Sequence, residues 1–151
     1  MVDSDFDRVM DIARNNSYPR GHYYCDAGFD NGKVDDMCVK WVSTAFRKGD
    51  PVAIIESDGK VAGYFLFQLD DRLSDALGCK YARMRHLALD EKFRGKGLGN
   101  RLFGGSISIM KDMGAKYVDS GYASKNHASA KLHTLYSFFS VYDEVTFHLW
   151  L

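Results

Sequence analysis

The stretch Arg94-Gly95-Lys96-Gly97-Leu98-Gly99 decides how the rest of the chain can be interpreted. It lies between a strand-like run, residues 84–89, and a helix-like segment that extends over residues 100–113. Alternating glycines at such a corner let the backbone bend sharply and come close to a ligand. The free N–H groups of the helix's first turn then face that ligand, and the helix dipole favours negative charge there. Because Arg94 and Lys96 add positive charge, the stretch predicts a pyrophosphate-binding loop.

The spacing excludes two well-known phosphate-binding patterns. A dinucleotide-binding loop requires Gly-x-Gly-x-x-Gly, and Asn100 stands where the third glycine would have to be. A P-loop requires Gly-x-x-x-x-Gly-Lys-Ser/Thr, and no such string occurs in the chain. The pattern that fits is Arg/Gln-x-x-Gly-x-Gly/Ala, filled by Arg94, Gly97 and Gly99. In this respect the chain resembles the GNAT acetyltransferase superfamily, in which that pattern binds acetyl-CoA.

The resemblance extends beyond the glycine loop, from about residue 51 to the end of the chain. The run 87–90 stands where the family has a splayed strand, and residues 116–121 look like the strand that follows the helix. The resemblance implies an α/β (α+β) fold with a mixed, mostly antiparallel central sheet and helices on both faces. It implies acetyl-CoA as cosubstrate, with contacts from Leu87, Ala88, Leu89, Arg94, Gly95, Lys96, Gly97, Leu98, Gly99 and Asn126.

Length and composition predict one domain over residues 1–151, with the family's first strand absent or truncated. Twenty basic and twenty acidic residues cancel, so the charge gives no reason to expect nucleic acid or an anionic membrane as partner. No apolar run is long enough for a membrane span. The three cysteines form no C-x-x-C pair, so we expect neither a metal site nor a disulfide framework. A reducing cytoplasm is the expected location.

Apolar spacing predicts alternating helices and strands in the order αα-βββ-α-β-α-β. The sequence Asp58-Gly59 predicts a type I′ hairpin turn, and Gly104 and Gly105 predict close packing of their helix on the sheet. We expect helices over 3–16, 34–47, 100–113 and 126–138, and strands over 52–56, 61–69, 80–89, 116–119 and 145–151, with loops over 17–31 and 70–78. In the strand over 80–89, strict alternation places Arg83, Arg85, Leu87 and Leu89 on one face and Met84, His86 and Ala88 on the other.

The general acid is where the chain departs from the family. The family has a tyrosine seven residues after its asparagine, which protonates the departing thiolate. Asn126 plus seven is His133, and an ungapped alignment keeps His133 in the tyrosine's place. Tyr136 lies one helical turn further. Histidine is able to donate a proton near neutral pH, so we place His133 first and Tyr136 second as the predicted catalytic acid.

The general base is less defined by the sequence. His86 is a candidate because its strand borders the pocket in the family, with bound water and Asp26 as alternatives. The resemblance also implies a bulge in this strand, and an oxyanion donor from a backbone N–H near Leu89.

Two further stretches resemble the GNAT branch that acetylates nucleotide-linked amino sugars, which includes the dTDP-fucosamine acetyltransferases. They are the run 22–29 followed by Trp41-Val42, and the closing run 146–151. The predicted function is therefore N-acetylation of a primary amine on a small molecule, with a nucleotide-linked amino sugar as one acceptor and a homodimer as one assembly. A protein or peptide acceptor, and a GNAT module that binds acetyl-CoA without catalysis, are the alternatives.

Overall fold

The computed structural model describes residues 1–15 and 21–151. Short 3-10 turns precede the first helix, at Asp3–Asp5, and follow the third strand, at Glu91–Phe93. In chain order the helices and strands are α1 (Phe6–Arg14), α2 (His22–Cys25), α3 (Asn31–Lys48), β1 (Val52–Ser57), β2 (Lys60–Leu69), α4 (Asp71–Leu77), β3 (Tyr81–Leu89), α5 (Leu98–Asp112), β4 (Tyr117–Asp119) and α6 (His127–Leu135).

The four strands form one sheet in the order β1-β2-β3-β4. β1 and β2, and β2 and β3, pair antiparallel, whereas β3 and β4 pair parallel. The hairpin between β1 and β2 has positive φ at both Asp58 (54°) and Gly59 (70°), which is the type I′ geometry expected from Asp-Gly. The mixed, mostly antiparallel sheet predicted from the resemblance is thus confirmed.

Helices cover both faces of the sheet, and each face has its own core. On the face that we call the α3 face, α1 and α3 pack against alternate residues of β2 and β3, including Tyr64, Leu66 and Ala88. On the opposite face, the α5 face, α5 and α6 pack against Phe65, Phe67 and Met84, among others. β2 contributes buried side chains to both cores, such as Tyr64 on one face and Phe67 on the other. Burying a side chain the size of Phe67 contributes about 1.5–3 kcal/mol to stability. β2 is therefore the central strand of the fold.

A β-bulge in β3 overturns the alternation predicted for that strand. Leu66 pairs with His86 but the next residue of β2 pairs with Met84, so Arg85 is an extra residue in β3. Met84 therefore belongs to the α5-face core, together with Leu87, while His86 bonds Tyr64 on the α3 face. Strict alternation had put Met84 and His86 on the same face, and a single inserted residue reverses the faces beyond it.

Two predicted segments were assigned wrongly. Residues 71–77 form helix α4 rather than part of a loop, because Asp70 accepts a hydrogen bond from the N–H of Leu73 and Gly78 closes the helix with φ 65°. The run over 145–151 is not a strand, because no neighbouring strand pairs with it in the described chain.

The remaining helices match their predictions with shifted ends. Residue 16, the predicted end of the first helix, and residues 17–20 of the predicted loop lie outside the described part, and α2 occupies 22–25 of that loop. Among the described helices, none combines the length and apolar character needed to cross a membrane.

Candidate acetyl-CoA and acceptor site

The two strands at the centre of the site separate partway along. β3 and β4 pair only from Tyr81 with Tyr117 to Arg83 with Asp119, whereas β3 continues to Leu89. The bulge at Arg85 lies directly after the last pair. β3 therefore extends beyond the end of β4, and one backbone edge of β3 has no described strand partner along the predicted contact residues Leu87, Ala88 and Leu89.

The glycine loop connects this open edge to α5. Gly95 and Gly97 have φ of 76° and 77°, the left-handed region that glycine adopts without strain. Gly97 is the N-cap of α5 and has no side chain to cap the helix, whereas α3 and α6 are capped by Asp30 and Asn126. The first-turn N–H groups of α5 are thus left for an external acceptor, and a helix N-terminus favours an anion.

The side chain of Leu89 lies close to two other glycines, Gly63 and Gly99. A Cβ at Gly63 of β2 would overlap the side chain of Leu89 and lie 2.6 Å from the carbonyl oxygen of Ala88. A Cβ at Gly99 would lie 3.4 Å from Leu89 Cδ1. The strand, the loop and the helix therefore approach each other around one leucine, and the close approach at Gly63 was not predicted from the sequence.

Both cations of the loop are held by neighbouring groups while remaining exposed. Arg94 Nε donates to the carbonyl oxygen of Leu89 at 3.2 Å. The Lys96 ammonium lies 5.3 Å from the centre of the Phe93 ring, a cation–π contact. The positive charges are thus placed beside the uncapped end of α5, as the sequence predicted.

Asn126 lies at the start of α6, where its side-chain oxygen accepts a hydrogen bond from the Ser129 N–H at 3.1 Å. This makes Asn126 the N-cap of the helix. The cap uses only the oxygen, so the side-chain N–H₂ group is left to donate to a ligand or to a backbone carbonyl.

His133, the first predicted acid, is buried in an aromatic enclosure. Its Nδ1 lies 2.8 Å from the carbonyl oxygen of Ser129, so Nδ1 carries the ring proton and donates it. Nε2 is buried and has no partner among the described residues. Phe103, Tyr122 and Phe138 surround the ring with centroid distances of 4.8–5.2 Å. A neutral histidine in this tautomer has no proton to give from Nε2.

Tyr136, the second predicted acid, follows α6 and reaches α5. Its hydroxyl donates to the carbonyl oxygen of Asn100, in the first turn of α5, at 3.1 Å. A Cβ at Gly104 would overlap this hydroxyl, so Gly104 is required by α6 rather than by the sheet, as had been expected. A Cβ at Gly105, by contrast, would have no heavy atom of the described chain within 4 Å. Tyr136 thus places a hydroxyl at the same end of α5 as the glycine loop.

His86, the predicted base, is bonded to a tyrosine that sequence reasoning missed. The hydroxyl of Tyr64, which is 0% exposed, lies 2.8 Å from His86 Nδ1. His86 is the hydrogen-bond partner found for that hydroxyl in the described chain, and a buried hydroxyl without an acceptor costs about 1–3 kcal/mol. We therefore assign the O–H of Tyr64 as donor to Nδ1, which leaves the ring proton on Nε2.

This arrangement makes His86 a hydrogen-bond donor rather than a base. Burial lowers the pKa of His86 to about 4, so the ring is neutral at neutral pH. Three buried side-chain atoms have no hydrogen-bond partner in the described chain, namely Arg83 Nε, Ser106 Oγ and His133 Nε2. Nε2 of His86 is not among them although no described group bonds it, so this atom is not sealed from solvent. The sequence shows a tyrosine in the neighbouring apolar strand, but it does not show which residue of β3 lies opposite that tyrosine. The contact between Tyr64 and His86 could therefore not be predicted.

Asp26, the alternative base, is occupied by the end of the chain. It accepts hydrogen bonds from Nδ1 of His148 and from Trp150 Nε1, the latter at 3.1 Å. The Gly28 N–H, followed by the His148 ring, holds the pKa of the Asp26 carboxyl below its usual value. Phe29 contacts both tail rings, at centroid distances of 5.3 and 4.9 Å. The two stretches that resemble the amino-sugar branch thus meet in space.

Comparisons with known proteins agree with this geometry. A family model described as the acetyltransferase (GNAT) family matches residues 15–138. The chain is 31% identical over 117 residues to the L-amino acid N-acyltransferase MnaT of Escherichia coli (strain K12), which covers 77% of this chain and 66% of that protein. It is 32% identical over 98 residues to an L-methionine sulfoximine/L-methionine sulfone acetyltransferase of Salmonella typhimurium, covering 65% of this chain and 56% of that protein. The chain thus spans less than two thirds of the length of either relative.

Solved structures support the fold at low sequence identity. A transcriptional regulator from Bacillus halodurans C-125 superposes with a TM-score of 0.72 at 12% identity, over 99% of this chain and 96% of that chain. The aminoglycoside N-acetyltransferase AAC(6′)-Iy, solved in complex with CoA, superposes with a TM-score of 0.68 at 16% identity, over 99% of this chain and 91% of that chain. Because the family model spans most of its length, the chain belongs to the acetyltransferase (GNAT) family.

Proposed function

We propose that this protein transfers the acetyl group of acetyl-CoA to the primary amine of a small molecule. The observation that carries the proposal is the loop from Arg94 to Gly99, where two left-handed glycines present an uncapped helix N-terminus beside two exposed cations. No heavy atom of the described chain lies within 4 Å of a Cβ built at Gly95 or at Gly97. The loop therefore has room for a diphosphate that approaches the backbone closely.

The open edge of β3 supports the same assignment. Beyond Arg83 no described strand pairs with β3 on the β4 side, although the Leu89 carbonyl oxygen accepts from Arg94 Nε at 3.2 Å. The pantetheine arm of acetyl-CoA carries amides that pair with such an edge. Acetyl-CoA, when bound, supplies the thioester carbonyl that the amine attacks. A backbone N–H near Leu89 is proposed as the donor to the developing oxyanion.

We propose Tyr136 as the group that protonates the departing thiolate. Its hydroxyl lies against the first turn of α5, whereas the Nε2 of His133 is enclosed by aromatic rings and has no hydrogen-bond partner in the described chain. The proton of the acceptor ammonium is taken by water, because His86 Nε2 already carries a proton and Asp26 is bound by the tail. The amine loses its second proton as the amide forms, and this proton returns to the Tyr136 phenolate. Of the two protons lost by the ammonium, one thus leaves to solvent and the other is balanced by the proton on the CoA thiol.

The acceptor that we propose is a small amine rather than a protein. The two relatives described above are named for L-amino acids and for methionine sulfoximine and sulfone, and these share a primary amine on a small molecule. A nucleotide-linked amino sugar remains an acceptor to be tested, since the run 22–29 and the tail form one cluster. A cytoplasmic location would supply acetyl-CoA to such an enzyme.

The experiment is a measurement of CoA-thiol release from acetyl-CoA with a panel of acceptors. The panel contains L-methionine sulfone, several L-amino acids, a nucleotide-linked amino sugar and a short peptide. We expect release that depends on at least one small amine and a product heavier by one acetyl group. Binding of CoA without release for any acceptor would contradict catalysis and favour a non-catalytic acetyl-CoA-binding module.

A further inference from the structure

The bulge in β3 turns two consecutive polar side chains toward the same side of the sheet. Met84 lies in the α5-face core and Leu87 packs against that core, so the two residues between them, Arg85 and His86, both leave the strand toward the α3 face. A regular strand would have sent one of them to each face. The bulge therefore creates a pair of neighbouring nitrogen donors at the point where β3 and β4 separate.

Arg85 differs from the arginine that precedes it on the strand. Arg83 Nε lies 3.3 Å from an Asp70 carboxylate oxygen and 3.6 Å from one of Asp119, so two carboxylates compensate its charge. Arg85 is exposed and has no ion-pair partner among the described residues. Its guanidinium thus offers uncompensated N–H donors in the geometry that suits a carboxylate.

His86 adds a neutral donor with a fixed direction. The Tyr64 hydroxyl occupies Nδ1, so the proton lies on Nε2 of a half-buried ring, where it has no hydrogen-bond partner among the described residues. Tyr64 is entirely buried, and its ring lies 5.7 Å from that of His86 with a tilt of 32°, which limits rotation of the imidazole. Tyr64 is accordingly a positioning residue for His86.

We propose that Arg85 and His86 Nε2–H form a carboxylate-binding site for the acceptor, which selects amines that carry a carboxylate near the amino group. This proposal rests on the proposed function, because it names the substrate class of the same site. The α3 face is the side of the sheet opposite α5 and α6, so this pair lies on the other side of β3 from the helix that follows the glycine loop. The site therefore binds one end of an amino acid and leaves its amine toward the splay.

The direct test compares a carboxylate acceptor with its amide. Initial rates are measured for L-methionine sulfone and for L-methionine sulfone carboxamide, which has the same amine without the carboxylate. The parent should prefer the acid in kcat/KM, and Arg85→Gln should lower kcat/KM for the acid about tenfold to a hundredfold, the loss expected for a charge-assisted hydrogen bond. The amide should change little. Arg47→Gln, which removes an exposed charge at the end of α3, is the matched control and should alter neither acceptor.

Tyr64→Phe tests whether Tyr64 positions the ring of His86. The measured quantity is the tautomer of that ring, which a change in packing alone would not alter. The ¹⁵N chemical shifts of the His86 ring report which nitrogen carries the proton. We expect an Nε2–H tautomer in the parent and a mixture in Tyr64→Phe, with a raised KM for the acid and an unchanged KM for the amide. Tyr81→Phe, which removes one hydroxyl bonded to Asp119 at 3.1 Å, is the matched control.

The outcomes separate this inference from the proposed function. Equal kcat/KM for the acid and the amide in the parent would overturn the carboxylate site while leaving acetyl transfer intact. If no acceptor is acetylated, calorimetric titration of the CoA-bound protein with L-methionine sulfone still decides. Binding that Arg85→Gln abolishes would support the site without the activity, and binding that Arg85→Gln leaves unchanged would overturn it. An Nδ1–H tautomer in the parent would contradict the assigned role of Tyr64.

Discussion

The two faces of the sheet each hold a histidine whose Nδ1 is hydrogen-bonded, yet the two rings differ in what they can do. His133 on the α5 face donates a hydrogen bond from Nδ1 to a carbonyl, and its Nε2 is sealed among aromatic rings without a hydrogen-bond partner in the described chain. His86 on the α3 face accepts a hydrogen bond at Nδ1 from the Tyr64 hydroxyl, so the single ring proton lies on Nε2, which is not sealed. The comparison teaches that the partner of one ring nitrogen decides the chemistry of the other.

The largest effect that separates the faces is expected at Tyr136. If its hydroxyl protonates the thiolate, Tyr136→Phe should lower kcat about a hundredfold to ten-thousandfold, the range for loss of a general acid. His133→Gln should change kcat by less than about tenfold, because the His133 ring contributes to packing rather than to proton transfer. The lower stability of this variant has to be allowed for in the comparison. Single-turnover rates at saturating acetyl-CoA measure the chemical step in each variant. The reverse pattern, with the large loss in His133→Gln, would restore His133 as the acid.

The next effect concerns stability against pH on the α3 face. The folded protein holds the pKa of His86 at about 4, and an unfolded histidine has a pKa of about 6.5. Below pH 6.5 the His86 ring binds a proton in the unfolded chain but not in the folded protein. Its contribution to the free energy of unfolding is therefore fully present above pH 6.5 and is lost as the pH falls toward 4. The unfolding equilibrium should shift about a hundredfold across this window.

Urea unfolding of the parent and of His86→Gln at several pH values measures this term. Other groups titrate in both proteins, so the difference between the two curves isolates His86. The difference should grow as pH falls from about 6.5 to about 4. Parallel curves over that range would show that burial does not disfavour the charged ring.

A smaller effect is expected where the tail meets the α3 side of the molecule. A Cβ at Gly28 would overlap the exposed indole of Trp150, so Gly28→Ala should displace that side chain and the tail with it. The chain has two tryptophans, and both Trp41 and Trp150 have aromatic neighbours in this cluster. Their fluorescence should therefore shift to the red. Gly121→Ala is the control, since no heavy atom of the described chain lies within 4 Å of its Cβ position; identical spectra for both variants would contradict the contact.

The smallest effect is expected at Asn126. Asn126→Ala removes the cap of α6 at a cost of about 1 kcal/mol, and should raise the KM for acetyl-CoA a few-fold more than it lowers kcat. Asp30→Ala removes the cap of α3 in the same way and should leave that KM alone. If both variants change only stability, Asn126 is a helix cap with no contact to acetyl-CoA.

The α5 face was the easier half to predict from the sequence. The loop, its two left-handed glycines and its helix follow local rules that a short motif records, and the structure has them at Gly95, Gly97 and α5. Gly104 was noticed but explained wrongly, because its neighbour Tyr136 is distant in sequence. Local geometry could therefore be predicted from the sequence, whereas a contact between residues distant in sequence could not.

The α3 face depends on features that no local pattern records. The bulge at Arg85 has no glycine or proline to mark it, and it alone decides that His86 faces Tyr64. The alternation over 145–151 is real but has no strand beside it in the described chain. The Asp70 cap and the Gly78 stop of α4 were visible in the sequence and were overlooked.

The central claim is that the glycine loop binds the diphosphate of acetyl-CoA, and calorimetric titration of CoA into Gly97→Leu tests it most directly. Gly59→Leu is a matched control, because Gly59 has φ 70° and the same open surroundings, so both variants carry the same backbone strain of about 1–2 kcal/mol. We expect CoA to bind the parent and Gly59→Leu alike, and Gly97→Leu at least about a hundredfold more weakly, as when charge-assisted hydrogen bonds to a phosphate are lost. Equal affinity for CoA in all three folded proteins would contradict the account.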